Sequence, residues 1–342
     1  LWQLATQNKI TDFPKLRFAF QSVQTVLQSF GLAGDLSFRK FLDEQLLITS
    51  QSTTSETPFL FAAPALCYTN YTNVYLQRGM IQLPEKLIAY IEANGGQVLL
   101  RQQVTKIHKQ QKQWVLTLKS GETVIAPLVI SNIPIWNLTE MTDEPALQNY
   151  LTQKTALFPE YWGAFTMGVV VNDHFPEDIS LHHQIHLEKE IPVCRSHSVF
   201  ASVSAKSDLT RAPQGKRVLA ISTHAEKPSQ WFENRETYET RKEEVRDAIL
   251  DSLTVLPGFR KEEIVYESAS TPVSWAKWTF RKFGTVGGIP QNIRRPFYRW
   301  AGALTPANGF FLCGDTTFPG QGVPGVVLGG MITTNRILNQ KM

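Results

Sequence analysis

The sequence predicts an α/β fold in which two separated segments form one unit around a second, sheet-containing domain. The first segment has apolar residues at helical spacing over residues 83–91, a glycine stop and strand-like runs over residues 98–131. The second has an apolar strand at residues 309–315, a glycine-rich turn and an apolar helix over about 323–338. Strands that alternate with helices in this way are typical of α/β proteins.

Two helices are expected ahead of the first segment. Apolar residues at helical spacing over residues 13–30 predict one amphipathic helix that ends at Gly31. A second helix is expected to begin near Asp35 and to extend through Leu46. The polar stretch at residues 49–57 is typical of a loop.

The first segment should begin with a helix and continue as a meander. Its helix is expected to stop at the Gly-Gly pair 95–96. A strand is then predicted from Val98 through Ile107, followed by strands in "WVLTL" and "TVIAPLVISN". The turn "KSGE" between the last two indicates a hairpin.

Residues 136–270 alternate strand-like and helical pieces, including a helix around Val245 and Ile249, and we interpret them as an inserted domain. Four histidines lie close together in this region: His182, His183, His186 and His197. They suggest a metal site, but "SLHHQIHLE" alternates as a strand does and no recognised ligand spacing is present. We therefore expect a solvent-facing strand here and no metal ion.

The composition is that of a globular protein. Of the 342 residues, 42% are apolar and 19% charged, and the formal net charge is +4. No Lys/Arg block is long enough for a nucleic-acid-binding arm, so no nucleic-acid partner is expected. The three cysteines (Cys67, Cys194 and Cys313) are far apart in sequence, which favours a reducing compartment over a disulfide framework. No apolar run approaches the roughly 20 residues of a membrane span, which favours a cytoplasmic or peripheral membrane-associated location. Oligomeric state is left open.

The glycine-rich turn carries the clearest functional pattern. Gly320, Gly322 and Gly325 spell G-x-G-x-x-G, but Pro324 interrupts them and no βαβ unit follows, so we reject a dinucleotide fingerprint. Glycines here would instead let backbone amides approach a bulky ligand, with the helix N-terminus presenting free N–H groups. Asp315, at the strand end, would accept hydrogen bonds from ligand hydroxyls or simply cap the turn.

Several motifs together resemble one family. "GFFLCGDTTFPGQGVPGVVLGG", "GTVGGIPQ", the stretch at residues 74–107 and "VISNIPIW" are similar, in the same order, to motifs of the carotenoid desaturase and isomerase family of FAD-dependent oxidoreductases. The resemblance implies the flavoprotein fold shared by phytoene desaturases and FAD-dependent amine oxidases, with an incomplete Rossmann-type FAD domain and an α+β substrate domain. It assigns residues 74–135 and 271–342 to the FAD-binding domain and residues 1–73 and 136–270 to the substrate-binding domain.

The resemblance also implies cofactor-binding residues for FAD. Asp315, preceded by Gly314, would hydrogen-bond the ribityl or phosphate region, and Val104 would meet the adenine through its backbone. The turn residues would place the helix start near the flavin ring, where its dipole stabilises the reduced anionic flavin; they are Gly320, Gly322, Val323 and Pro324. No catalytic residue is assigned.

The sequence departs from the family in two places. Arg78-Gly79 stands where the family has Gly-Gly, and the N-terminal Rossmann unit with its own G-x-G-x-x-G is missing. The chain starts at Leu1, as though cut from a longer protein. We therefore expect weak FAD binding by this chain alone.

By resemblance, the expected function is desaturation of a long polyene by hydride transfer to flavin. A carotenoid cis–trans isomerase that uses reduced flavin and a retinol saturase-like reductase are alternatives, as is a non-catalytic fragment that binds an apolar ligand. Separately, the aromatic and basic stretch "IRRPFYRWAG" at residues 293–302 suggests peripheral contact with a membrane. An ordinary surface loop with one buried aromatic side explains the same residues.

Overall fold

The computed structural model describes residues 10–67, 70, 74–158 and 162–339, and its first helices pack as a small cluster. A 3₁₀ helix at Ile10–Phe18 precedes α1 (Val23–Ser29), α2 (Leu36–Ser50) and α3 (Phe59–Leu66). The prediction of one helix over residues 13–30 is wrong, because the Ser22 hydroxyl accepts a hydrogen bond from the Thr25 amide at 3.1 Å and starts α1 anew. The predicted stop is confirmed, since Gly31 has φ 72°.

The second predicted helix is confirmed as α2. It begins after Asp35, whose carboxylate accepts a hydrogen bond from the Phe38 amide at 2.9 Å. The predicted loop at residues 49–57 is irregular beyond Ser50, where α2 ends. It is not a surface loop, however, because five of its polar residues are buried: Ser50, Gln51, Ser52, Thr54 and Thr57.

The first segment forms a helix and parts of two sheets. Helix α4 (Gln82–Ala93) ends before Gly95 as predicted. The strand expected from Val98 is shorter: β1 (Val104–Gln110) pairs antiparallel with β2 (Gln113–Leu118), which pairs with β3 (Thr123–Ala126). The predicted hairpin joins β2 to β3 through Gly121 at φ 91°.

The run "TVIAPLVISN" is not one strand. After β3, Pro127 interrupts the ladder because it has no N–H to donate. The chain then forms β4 (Val129–Ser131), which pairs in parallel with β10 (Phe310–Leu312) in a different sheet. The carboxyl ends of β4 and β10 therefore lie side by side.

Residues 163–270 contain a five-stranded antiparallel sheet, called the inserted sheet below, and their assignment to a separate domain stays a prediction. Helices α5 (Ile135–Met141) and α6 (Pro145–Thr155) lead into it. Its strands have the order β6-β7-β8-β5-β9. They are β5 (Gly163–Asn172), β6 (His182–Ile191), β7 (Ser196–Val203), β8 (Lys216–Ala225) and β9 (Ile264–Ser270).

Helix α7 (Tyr238–Ser252) covers one face of this sheet and buries Val245 and Ile249, which confirms the predicted helix. After β9 come α8 (Pro272–Thr279), β10 and the terminal helix α9 (Gly322–Leu338). A second core cluster surrounds β10 and includes Trp114, Phe310 and Leu312. The two cores place the β10–α9 turn beside the inserted sheet.

Candidate functional site

The turn between β10 and α9 requires glycine at several positions. Gly314, Gly320 and Gly322 have φ of 99°, 114° and 78°, a region that favours glycine. A Cβ added to Gly314 would lie 3.2 Å from the carbonyl oxygen of Asn132, the residue after β4. The turn is therefore held tightly over the ends of both parallel strands, where ligands bind in open α/β sheets.

The N-terminus of α9 presents free amides. Gln321 occupies the N-cap position, and its side chain makes no capping hydrogen bond. The N–H groups of Gly322 and Val323 have no acceptor within the helix, as at any helix start, and Pro324 has no N–H. The positive end of the helix dipole therefore faces the turn and favours a carbonyl or anion.

Asp315 forms an ion pair that the sequence did not reveal. Its Oδ2 accepts a hydrogen bond from Nη2 of Arg281 at 2.8 Å, and each side chain is about one-fifth exposed (20% and 19%). Among the described residues, nothing donates to Oδ1, so that oxygen is available to a ligand hydroxyl. Arg281 lies 34 residues away in sequence, and no local pattern links the two.

A buried loop residue, Gln51, joins the turn to the inserted sheet. Its side-chain Nε2 donates to the carbonyl oxygen of Val286 at 2.9 Å. Its backbone carbonyl oxygen accepts a hydrogen bond from Nε1 of Trp162 at 3.0 Å. A Cβ on Gly287 would lie 1.7 Å from that Nε2 and 3.0 Å from Oε1 of Gln321. Both glutamine side chains therefore meet at Gly287. The sequence analysis missed Gln51 because it lies in a stretch that reads as an exposed loop.

The donor set at the turn fits a flavin. Within the described part of the chain, Oε1 of Gln51 and Nε2 of Gln321 are buried without a hydrogen-bond partner. Such groups are rare in folded proteins unless a ligand or water satisfies them. A flavin ring offers carbonyl and ring nitrogen partners, and its ribityl chain offers hydroxyls to Asp315.

The predicted cofactor residues fall into two places. Gly314, Asp315, Gly320, Gly322, Val323 and Pro324 lie together in the β10–α9 turn because they are near one another in sequence. Val104 instead begins β1 in another sheet and packs against the core cluster that contains Phe310 and Leu312. Its predicted contact with adenine remains a prediction.

The face of the inserted sheet opposite α7 contains a groove of about 440 Å³. His224 of β8 lies on this face beside Trp162, with ring centroids 5.3 Å apart. Burial lowers the pKa of His224 to about 4, so the ring is neutral near pH 7. Trp162 in turn donates to the backbone carbonyl of Gln51, so a chain of contacts links this face of the sheet to Gln51.

The histidine stretch lies on β6, at the edge of the inserted sheet. Among the described residues, no group of three or more His, Cys, Asp or Glu side chains is placed to bind a metal ion. The expected solvent-facing strand is confirmed for His182, His186 and Glu188, which are exposed, while Gln184 is half-buried beneath a contact with α2. Glu44 of α2 accepts hydrogen bonds from Gln184 at 2.9 Å and pairs with His186 at 2.7 Å.

Two of the cysteines are poor nucleophiles. Burial raises the pKa of the Cys194 thiol to about 12. It also raises the pKa of Cys313, which follows β10. Both thiols are therefore protonated near neutral pH, and the flavin turn offers no thiolate.

The chain is similar to enzymes that act on carotenoids. It is 27% identical over 315 residues to prolycopene isomerase 2 from an Oncidium hybrid cultivar, which covers 89% of this chain and 53% of the relative. It is 24% identical over 210 residues to a 4,4'-diapophytoene desaturase from Staphylococcus aureus, covering 58% of this chain and 42% of the relative. The chain thus spans about half the length of these curated relatives. The sequence resemblance is confirmed.

The fold is that of known oxidoreductases. An oxidoreductase from Methanosarcina mazei superposes with a TM-score of 0.61 at 18% identity, over 96% of this chain and 74% of that one. This match confirms the predicted flavoprotein fold. The family model described as flavin containing amine oxidoreductase matches residues 9–338. The chain therefore belongs to the flavin-containing amine oxidoreductase family, which confirms the predicted cofactor, FAD.

Proposed function

We propose that this chain forms the substrate-binding part and one side of the flavin site of an FAD-dependent enzyme that acts on a long polyene. The observation that carries the proposal is the contact chain at Gln51, whose Nε2 donates to Val286 and whose backbone carbonyl accepts from Trp162, the residue before β5. Relatives named for carotenoid substrates support the polyene. Bound flavin supplies the electron chemistry, and the protein contributes orientation and exclusion of water.

The residues of the turn have distinct roles in this proposal. Oδ1 of Asp315 accepts a hydrogen bond from a ribityl hydroxyl, while Arg281 holds the carboxylate in place. The N–H groups at the start of α9, on Gly322 and Val323, stabilise negative charge on the ring. Gly314 and Gly320 keep the backbone close to the cofactor, and Pro324 fixes the first helical turn.

The reaction is either a desaturation, as expected from the sequence, or the alternative cis–trans isomerisation. Desaturation removes hydride from one carbon and a proton from its neighbour, and needs an acceptor to reoxidise the flavin. Isomerisation moves no net electrons. The isomerase relative covers 89% of this chain and the desaturase 58%, which favours isomerisation.

Product analysis separates the two reactions. The chain with FAD that has been chemically reduced is incubated anaerobically with prolycopene, and the chain with oxidised FAD and an electron acceptor is incubated in a second reaction with 4,4'-diapophytoene. An isomer of unchanged mass supports the isomerase, whereas a product lacking two hydrogen atoms, formed only with oxidised FAD and an acceptor, supports the desaturase. If neither product forms although flavin binds, the chain is a non-catalytic binder of an apolar ligand.

Flavin binding is tested with riboflavin as well as FAD, because riboflavin contains only the ring and ribityl chain that this turn would hold. Asp315→Asn keeps the size of the side chain and removes its charge. We expect it to weaken riboflavin binding about tenfold in a fluorescence titration, since hydrogen bonds to charged groups are the stronger ones. Asp178→Asn, on the surface, is the matched control. Equal riboflavin affinities of wild type and Asp315→Asn would show that Asp315 does not take part in flavin binding.

The domain assignment is part of the same proposal. Residues 74–135 and 271–342 form the FAD-binding part, and residues 1–73 and 136–270 the substrate-binding part. The β4–β10 pair supports this division, because it joins the two FAD segments in one parallel sheet. The buried loop at Gln51 supports it as well, since this residue of the first substrate segment contacts the inserted sheet through Trp162.

Peripheral membrane contact also belongs to the proposal, at a surface wider than residues 293–302. Phe20 is 67% exposed and stacks on Phe297 at 6.3 Å, while Tyr298 is 73% exposed. Arg294 and Arg299 are exposed beside them. Trp300 does not take part, because it is buried against Phe61. Within the described residues, no helix is long and apolar enough to cross a bilayer.

Liposome sedimentation tests this surface. The double variant Phe20→Ser with Tyr298→Ser should lose binding to vesicles that contain phosphatidylglycerol, because both rings would otherwise insert at the interface. Trp278→Ser is the control, since Trp278 is 74% exposed on α8. Unchanged binding of the double variant, or equal loss in the control, would contradict the assigned surface.

A further inference from the structure

A row of hydroxyl groups crosses the face of the inserted sheet opposite α7. Ser222 of β8 pairs with Thr166 of β5, which pairs with Ser270 of β9 at the same register. Phe200 of β7 extends the row on the other side of Ser222. Directly opposite residues of antiparallel strands point to the same face, with Cβ atoms about 5 Å apart. Three hydroxyls therefore stand in line across the sheet.

The next row along the strands is built from small side chains. Ala220 and Gly168 pair at its centre, with Ser202 on one side and Ser268 on the other. A Cβ added to Gly168 would lie 3.4 Å from Oγ of Ser268, which is ordinary contact. The small residues leave the groove of about 440 Å³, and the hydroxyl row lines it.

Most of these hydroxyls have no protein partner. Ser202 forms a hydrogen bond with Nδ1 of His182 at 2.9 Å. In the described part of the chain, no hydrogen bond involves the side chains of Thr166, Ser222, Ser268 or Ser270. Their donors and acceptors therefore point into the groove uncommitted, and water satisfies them in the free protein.

A chain of contacts links the face that holds the groove to Gln51. His224 follows Ser222 by two residues on the same face of β8, about 7 Å further along the strand. Its neutral ring contacts Trp162, whose Nε1 donates to the carbonyl of Gln51. A ligand that lies along β8 would thus extend from the hydroxyl row toward His224 and Trp162.

We propose that this groove binds an elongated apolar ligand that carries a hydroxyl or carbonyl oxygen, recognised by the hydroxyls of Thr166, Ser222 and Ser270. A pure hydrocarbon would displace the water and leave these groups unpaired, which costs free energy. A ligand oxygen would replace the water instead. The inference rests on the proposed function, because it takes the groove as the place where the substrate lies. It adds a preference, among long polyenes, for those that carry an oxygen.

Binding of a matched pair of ligands tests the proposal without any turnover. The pair consists of a carotenoid with a hydroxyl on each end ring and the hydrocarbon of the same skeleton, both in detergent micelles. Quenching of tryptophan fluorescence, with Trp162 beside the groove, reports binding. We expect wild type to bind the hydroxylated ligand about tenfold more tightly, the gain of roughly one hydrogen bond.

The triple variant Thr166→Val, Ser222→Ala, Ser270→Ala should bind both ligands with the same affinity, because its side chains keep nearly the same size. Thr123→Val, on β3, is the control and should keep the preference. Gly168→Val should weaken the binding of both ligands, because its larger side chain fills part of the groove.

Three results would overturn the proposal: a hydrocarbon bound as tightly as the hydroxylated ligand by wild type, a preference that survives the triple variant, or no binding of either ligand. Because the assay contains no flavin and measures no product, such a result leaves the riboflavin and product experiments free to support or refute the proposed function.

Discussion

Helices α4 and α7 have similar apolar stripes but different surroundings. In α7, Ile249 is fully buried (0% exposed) in the core under the inserted sheet. In α4, Leu87 is 66% exposed, and the helix buries no side chain. The comparison teaches that a helical stripe fixes which face of a helix is apolar, while the rest of the fold decides whether that face is covered.

The same contrast separates the two regions that hold the helices. The inserted sheet has five strands and packs a buried core against one of its faces. Residues 74–135 form a three-stranded sheet, and β4 of this segment pairs with β10 in a sheet of only two short strands. Four predictions test whether stability is concentrated in the sheet region as this difference implies.

The largest expected effect comes from Ile249→Ala compared with Leu87→Ala. Ile249→Ala should lower the free energy of unfolding by about 2–5 kcal/mol, because it leaves a cavity in a packed core. Leu87→Ala should change it by less than about 0.5 kcal/mol, as for other exposed sites. Urea unfolding followed by circular dichroism measures both. Equal losses would show that α4 has a buried partner after all.

The second prediction concerns pH and the sheet region. The folded pKa of His224, about 4, lies below its ordinary value of 6.5, so the unfolded chain binds the extra proton first. The contribution of His224 to the free energy of unfolding should be complete above pH 6.5 and should be lost as the pH falls toward 4. The loss should be no more than about 3 kcal/mol.

His224→Leu isolates this effect, because other groups titrate in both proteins. The difference in unfolding free energy between wild type and variant should change between pH 6.5 and pH 4 in urea titrations. A difference independent of pH over that range would mean that the ring is not desolvated.

The third prediction compares two glycines with left-handed backbones in the FAD region. Gly288 has φ 73°, and an added Cβ would lie 2.2 Å from the backbone oxygen of Asp315. Gly95 has φ 79° with no atom within 4 Å of an added Cβ. We expect Gly288→Ala to cost about 2 kcal/mol and to weaken riboflavin binding, because Asp315 must shift. Gly95→Ala should cost about 1 kcal/mol for the backbone alone and leave binding unchanged. Thermal unfolding and the flavin titration provide the check.

The smallest expected effect is at the start of α4. Arg78 and Glu85 lie 3.8 Å apart with both side chains at least half exposed. Arg78→Ala should therefore change the unfolding free energy by about 0.5 kcal/mol or less. A larger loss in urea unfolding would indicate that Arg78 has a structural role where the family has glycine.

Local sequence determined much of this protein. The apolar spacing predicted α2, α4, α7 and α9, and the cap at Asp35 and the stop at Gly31 were readable, because capping involves residues a few positions apart. The strand β10 and the glycine-rich turn that follows it were predictable for the same reason. The sequence also carried the family resemblance.

Only the tertiary structure decided the rest. Pro127 separates β3 from β4, but nothing local shows that they join different sheets. From the sequence, Gln51 is an ordinary loop residue, and only the fold brings Trp162 and Val286 into hydrogen-bond contact with it. Arg281 likewise pairs with Asp315 only because the chain folds back on itself. The hydroxyls of Thr166, Ser222 and Ser270 form a row through strand register. Contacts between distant residues depend on pairing and packing, which short-range sequence patterns do not encode.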